Sequence, residues 1–172
     1  LFASLEWGTA SAVEETFGPD GTFRREMSGE VVLVSRLRKA LIKLNSRLPT
    51  EAIETAIIDL TRDRSAMELV AANREIYGLL KEGVPVSVPD PERGGQRPER
   101  VRVMDWDNPA ENDFLAIRQI TFTGPLYTCR PDIVGFVNGL PLVVLEFKKP
   151  SVPVRNAFDE NMTSYKHAQN GI

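Results

Sequence analysis

The chain has 172 residues, 42% of them hydrophobic and 26% charged, and a formal net charge of −3. That is room for one domain, or one domain with a helical appendage, with the composition of an ordinary globular protein. The acidic balance excludes a free-standing nucleic-acid binder of the usual basic kind, so any contact with DNA needs a local patch or partners that supply affinity.

The single cysteine, Cys129, leaves no internal disulfide and suits a reducing cytosol, so a cytoplasmic location is expected. With the single histidine, His167, it cannot close a zinc site, and neither points to Cys-His or Ser-His catalysis. No apolar run reaches the roughly 18 residues of a membrane span. The first residues, "LFASLEWGTA", have neither the basic start nor the long apolar centre of a signal peptide. They also lack an initiating Met, and the end, "YKHAQNGI", has no cap, so the chain is expected to be part of a longer one.

In chain order, residues 1–30 predict a short helical start followed by irregular chain with turn chemistry at Gly18-Pro19-Asp20-Gly21. Over 31–47, Val34, Leu37, Leu41 and Leu44 recur at helical spacing. Thr50 is placed to cap a second helix at 51–61, with Glu51 at its positive end. Ser65 and Glu68 form a capping-box pattern for a third helix at 66–82, which Gly83 stops. The texture then changes to strands at 84–88 and 100–106, with a polar Pro/Gly loop between them, and to a third strand at 113–123. A helix is expected again at 157–168. The order of helices, then four or five strands, then a helix implies an α/β or α+β fold with a mixed sheet.

Residues 131–150, "PDIVGFVNGLPLVVLEFKKP", hold two apolar runs around an Asn-Gly pair, a hairpin signature. Asp132 opens the first run; Glu146, Phe147 and Lys148 close the second. Charges in apolar strands cost several kcal/mol unless compensated, and these stand at strand ends. Glu146 and Lys148 are two apart and share a face. A two-residue turn would set Asp132 opposite Leu145, facing away from Glu146. A three-residue loop, or a bulge, would bring the charges to one side, and the three-residue loop is the expectation. Two carboxylates and the Phe147 carbonyl would then offer Mg²⁺ its hard oxygen ligands. Lys148 beside them could orient an attacking water, share its proton or stabilise charge at a phosphate. An ion pair decorating the strand end accounts for the same residues, and the pattern alone leaves both open.

The segment "RPDIVGFVNGLPLVVLEFKKP" closely resembles the nuclease domain of type I restriction endonuclease R subunits, within the PD-(D/E)xK superfamily. "EGVPV", "ENDFLAIRQITFTG" and the helix after the hairpin agree, and the resemblance covers most of 30–168. It implies a restriction-endonuclease-like mixed sheet flanked by helices, and a Mg²⁺-dependent type I site-specific deoxyribonuclease. Asp132 and Glu146 would bind metal and Lys148 would be catalytic. The family's Q-x-x-x-Y element corresponds to Asn161 and Tyr165, which share a helix face; Asn shortens the arm. An early-helix glutamate, frequent in the superfamily, is not assigned to the site: Glu6, Glu14 and Glu15 are candidates, and a position before Leu1 is the alternative.

The resemblance further implies an N-terminal part of a longer subunit acting on double-stranded DNA. Modification and specificity subunits would be partners, and helicase-like motor domains would follow in the same chain. No G-x-x-x-x-G-K-[ST] occurs, so ATP would belong to that motor. Tethering in such a complex would offset the acidic charge. Arg130, Lys148, Lys149, Arg155 and Lys166 lie around the hairpin in sequence and are candidates for phosphate contacts. Expected organisation is an N-terminal helical region, 1–83, packing on a nuclease core, 84–172. Alternatives are a non-catalytic docking or DNA-binding module of the same fold, and another nuclease of the superfamily such as a repair nuclease or resolvase.

Overall fold

The computed structural model describes residues 2–124 and 127–163, and the chain divides into two units, Leu1–Leu33 with Phe114–Ile172, and Val34–Asp113. This division does not follow the expected boundary at residue 83. Strand β1 (Gly8–Ser11) joins the sheet built from the later strands, while the segment after residue 83 stays with the helices.

In the Val34–Asp113 unit, α1 (Val34–Leu44) buries Leu37, Ala40 and Leu41, two of them from the predicted stripe. Helix α2 (Thr50–Thr61) buries Ala52, Ile53, Ala56, Ile57 and Leu60 and packs on β2 (Val84–Pro89). Val84, Val86 and Val88 are buried while the residues between them are exposed, the period of a strand with one wet face. Each such buried side chain contributes about 1.5–3 kcal/mol.

Three local expectations change here. Thr50 is the first residue of α2 and not its cap; Pro49 holds that position, its carbonyl accepting from the N–H of Ala52 (3.1 Å) and Ile53 (3.4 Å). Ser65 turns its N–H and hydroxyl to the Asp63 carboxylate (2.8 and 3.0 Å), so no capping box forms and α3 runs over Leu69–Glu82. Gly83 does end it, at φ 83°, with its N–H on the Leu79 carbonyl. Strand β3 occupies Gln96–Val101, earlier than 100–106, and pairs antiparallel with β2. The chain beyond is claimed by side chains: Asn45 pairs both the N–H and the carbonyl of Arg102, in the way a neighbouring strand would.

In the other unit, β4 (Phe114–Arg118), β7 (Ile133–Val137) and β8 (Leu140–Leu145) join β1 in the order β1-β4-β7-β8. β1 runs parallel to β4 and the other pairs are antiparallel, so the sheet is mixed, as expected of an α/β, restriction-endonuclease-like chain. The expected strand 113–123 breaks at Gln119, which has a left-handed φ of 57°; beyond it, β5 (Phe122–Thr123) pairs with β6 (Thr128–Cys129) as a separate ribbon. Leu115, Ile117, Val134 and Phe136 face one side and form a core with Ala12, Leu33, Ile120, Phe122 and Cys129. On the opposite face Trp7 stacks on Phe114, ring centroids 5.0 Å apart.

Residues 12–30, read as irregular, are organised around Arg25. Its side chain is fully buried and is sandwiched between the rings of Phe17 and Phe122. Nε and one terminal nitrogen donate to Glu15 (2.8 and 2.6 Å), and the remaining N–H groups reach the carbonyls of Ser28, Glu30 and Thr121. The helix expected at 157–168 begins as a π-helical turn over Ala157–Met162. Tyr165, Lys166 and His167 lie outside the described residues. Among those described, no helix is long and apolar enough to cross a membrane.

Candidate active site

The hairpin joins β7 to β8 by two residues and not by the expected three. Val137 pairs with Leu140, and Asn138 (φ 52°) and Gly139 (φ 82°) are both left-handed, as a type I′ turn requires. A regular ladder from that turn would set Asp132 opposite Leu145. The register instead shifts between Gly135 and Phe136: Phe136 pairs with Pro141 but Gly135 with Val143, so Leu142 is the extra residue of a β-bulge. Beyond it Val134 faces Val144 and Ile133 faces Leu145. Asp132 and Glu146 are therefore the next opposed positions past the ladder's end. The bulge restores the parity assigned to a longer loop, placing positions 132 and 146 on one side of the sheet.

A hydrogen bond crosses between the two strand ends at that register. The Phe147 N–H donates to Oδ2 of Asp132 at 2.8 Å. Burial first, and the Glu146 carboxylate second, push the Cys129 thiol up to about 11. Cys129 belongs to the same core as Val134 and Phe136, the side of the sheet that alternation assigns to Asp132. Arg118, Gln119, Asp132, Ile133, Phe147, Lys148 and Lys149 line an open cleft of about 430 Å³; Glu146 is not among its lining residues. Lys148 Nζ meets Oε2 of Glu160 at 3.1 Å, with its side chain 22% exposed.

The donor set fits Mg²⁺. Asp132 accepts two hydrogen bonds, from Phe147 and from Gln119, out of about four lone-pair sites of a carboxylate. The Phe147 residue that donates to Asp132 also lines the cleft, and its carbonyl is of the hard-oxygen type that Mg²⁺ takes. Among the described residues no group of three His, Cys, Asp or Glu side chains gathers, and Mg²⁺ asks for none, since one or two carboxylates and retained water suffice.

The chain matches, over residues 1–171, the family described as "Type I restriction enzyme R protein N terminus". It belongs to that family. It is 38% identical over 145 residues, 82% of its length, to the type I restriction enzyme HindI endonuclease subunit of Haemophilus influenzae, of which it spans 14%. It is 28% identical over 149 residues, 83% of its length, to a Methanocaldococcus jannaschii protein provisionally named the type I restriction enzyme MjaIXP endonuclease subunit, again spanning 14% of that protein. The type I restriction enzyme EcoprrI endonuclease subunit of Escherichia coli is 24% identical over 163 residues, 86% of this chain and 50% of its own.

In this R-protein N terminus two polar residues join the site without having been singled out in the sequence. Gln119 donates from Nε2 to Asp132 Oδ1 (2.9 Å), and its main-chain N–H donates to the Asp132 carbonyl (3.0 Å). Glu160, on the π-helical turn, pairs with Lys148 and accepts from Asn156 (3.2 Å). Neither carried a signal beyond its type; both are brought in by elements distant in sequence. Asn161 lies on the same turn. Of the basic residues, Lys148 and Lys149 reach the cleft, Arg130 is exposed, and Arg155 is 86% exposed and paired with Asp159. Of the early glutamates, Glu6 and Glu14 are exposed and Glu15 is committed to Arg25. Helix α1 begins only at Val34, so none of the three stands on an α-helix.

Proposed function

We propose that the chain is the DNA endonuclease module of a type I restriction R subunit, hydrolysing phosphodiester bonds with Mg²⁺ as part of an ATP-dependent complex. The observation that carries this reading is the bulged register, which ends on the pair Ile133–Leu145 and so leaves positions 132 and 146 as the next opposed pair, with Lys148 following in the chain. Family membership and relatives named as endonuclease subunits support it.

In this reading Asp132, Glu146 and the Phe147 carbonyl hold the cation. Bound there, Mg²⁺ supplies positive charge to the scissile phosphate and its leaving oxygen. Asp132 is presented in one orientation by the N–H groups of Gln119 and Phe147, so the ligand is ordered in advance. Lys148 would leave Glu160 for the phosphate, where its ammonium stabilises developing negative charge and orients the attacking water, whose proton passes to solvent. Arg118 and Lys149, which also line the cleft, meet neighbouring phosphates. Asn161 and Tyr165 help place the site on the DNA. The motor that uses ATP follows in the full-length chain, and modification and specificity subunits provide target recognition. The whole works in the cytoplasm.

The test is plasmid cleavage by the full complex carrying Asp132→Ala or Lys148→Ala. Cleavage is expected to disappear while ATP hydrolysis continues. Cleavage retained by both variants would overturn the site.

A further inference from the structure

Gln119 stands where β4 ends and holds Asp132 twice, main chain to main chain at 3.0 Å and side chain to side chain at 2.9 Å. It does so at φ 57°, a region a residue with a Cβ enters at a cost and that glycine and asparagine normally fill. A side chain kept in such a conformation is held by what surrounds it. The surroundings here are identifiable. Residue 118 ends the β4 ladder opposite Ile133, and the Arg25 clamp holds the Thr121 carbonyl three residues further on. The turn between them aims the Gln119 amide along the end of the sheet at Oδ1. The Phe147 N–H takes Oδ2 from the strand on the other side. Both oxygens of one acid thus accept from donors just past the ends of its two neighbouring strands, β4 and β8.

We propose that Gln119 is a positioning residue for Asp132: its amide fixes the carboxylate so that the remaining lone pairs face the divalent cation. This rests on the reading of Asp132 as a cation ligand. The amide donates hydrogen, cannot ionise and does not compete for the metal, which suits a group acting behind a ligand. Outer partners of this kind change metal affinity by about 10–100-fold when removed.

Two substitutions separate the amide from the backbone. Gln119→Gly removes the amide and relieves the left-handed φ. Gln119→Met removes the amide but keeps length and backbone cost. Mn²⁺ binding to the full-length subunit, followed through the electron paramagnetic resonance signal of free Mn²⁺, is the readout. The site concerned is the one lost in Asp132→Ala. Both Gln119 variants are expected to raise its half-saturating Mn²⁺ by about 10-fold or more, while Gln119→Gly melts no lower than wild type. Wild-type affinity in both variants would overturn the positioning role while leaving Asp132 as a ligand. An Asp132→Ala chain that loses no Mn²⁺ site would overturn the ligand reading, and the positioning role with it.

Discussion

Replacing Arg25 by methionine tests the clamp that organises the start of the chain. Met retains much of the volume between Phe17 and Phe122 but donates nothing. The Glu15 carboxylate, 5% exposed, then stays buried without its cation, and the Glu30 and Thr121 carbonyls lose their donors. Removing one member of a buried pair costs about 3–5 kcal/mol, because the remaining charge has neither water nor a partner. Against a total of about 5–15 kcal/mol that is a large share. For a chain of this size it corresponds to a melting temperature lower by about 6–20 °C. Urea unfolding read through Trp7, in a Trp106→Phe background, measures it in the unit that contains the clamp. The Glu15→Gln, Arg25→Met double variant should cost less than the sum of the singles by about 0.5–3 kcal/mol, since the second change removes the stranded charge. A loss below about 1 kcal/mol in Arg25→Met would refute the argument, because no buried pair with this many contacts costs so little to break.

Gly83→Ala should destabilise the other unit by about 1–3 kcal/mol from backbone strain, and by more once steric overlap is included. The added Cβ would lie 2.7 Å from the Val101 carbonyl oxygen, at φ 83°. Fluorescence of Trp106, whose ring N–H donates to the Leu80 carbonyl, reports the change, and an unperturbed unfolding curve would contradict it. Glu54 is held below its ordinary carboxyl range, first by the hydrogen bonds from Arg38, with Arg38's charge adding to the effect and burial opposing it. A lowered carboxyl pKa contributes stability that is present above the unfolded value and is lost as pH falls through the folded one. Glu54→Gln should therefore flatten the acid side of the stability curve below about pH 4.5. Its effect at neutral pH should be at most about 1 kcal/mol, because both side chains are two-fifths exposed. Urea midpoints between pH 3 and 7 for the two proteins check this, and parallel curves would refute it.

The elements that could be read from the sequence are those whose signal is local. The stripe of Leu37 and Leu41, the run from Ala52 to Leu60, the alternation Val84-Val86-Val88 and the stop at Gly83 each follow from the chain's own period or from a single backbone preference. Strand β1 was not legible, because "GTAS" has no apolar alternation and becomes a strand only by pairing in parallel with β4. The cap assigned to Thr50 and the box assigned to Ser65 and Glu68 failed for a related reason. Helix α2 starts one residue earlier than expected, with the Pro49 carbonyl accepting its first bonds, and Ser65, a short polar side chain, took the nearby Asp63 as partner.

At the site, the amino acids themselves determined which groups are present: two carboxylates and a lysine at the ends of two apolar strands, joined by an Asn-Gly turn. Tertiary structure decided the register between them. Side-chain direction in a strand has a period of two, so one surplus residue at Leu142 reverses the relation between Asp132 and Glu146, and no local preference announces it. Gln119, Glu160 and the Arg25 clamp came from the same source, because a hydrogen bond across 13, 12 or 96 positions depends on how strands and turns assemble in space and not on the residues alongside.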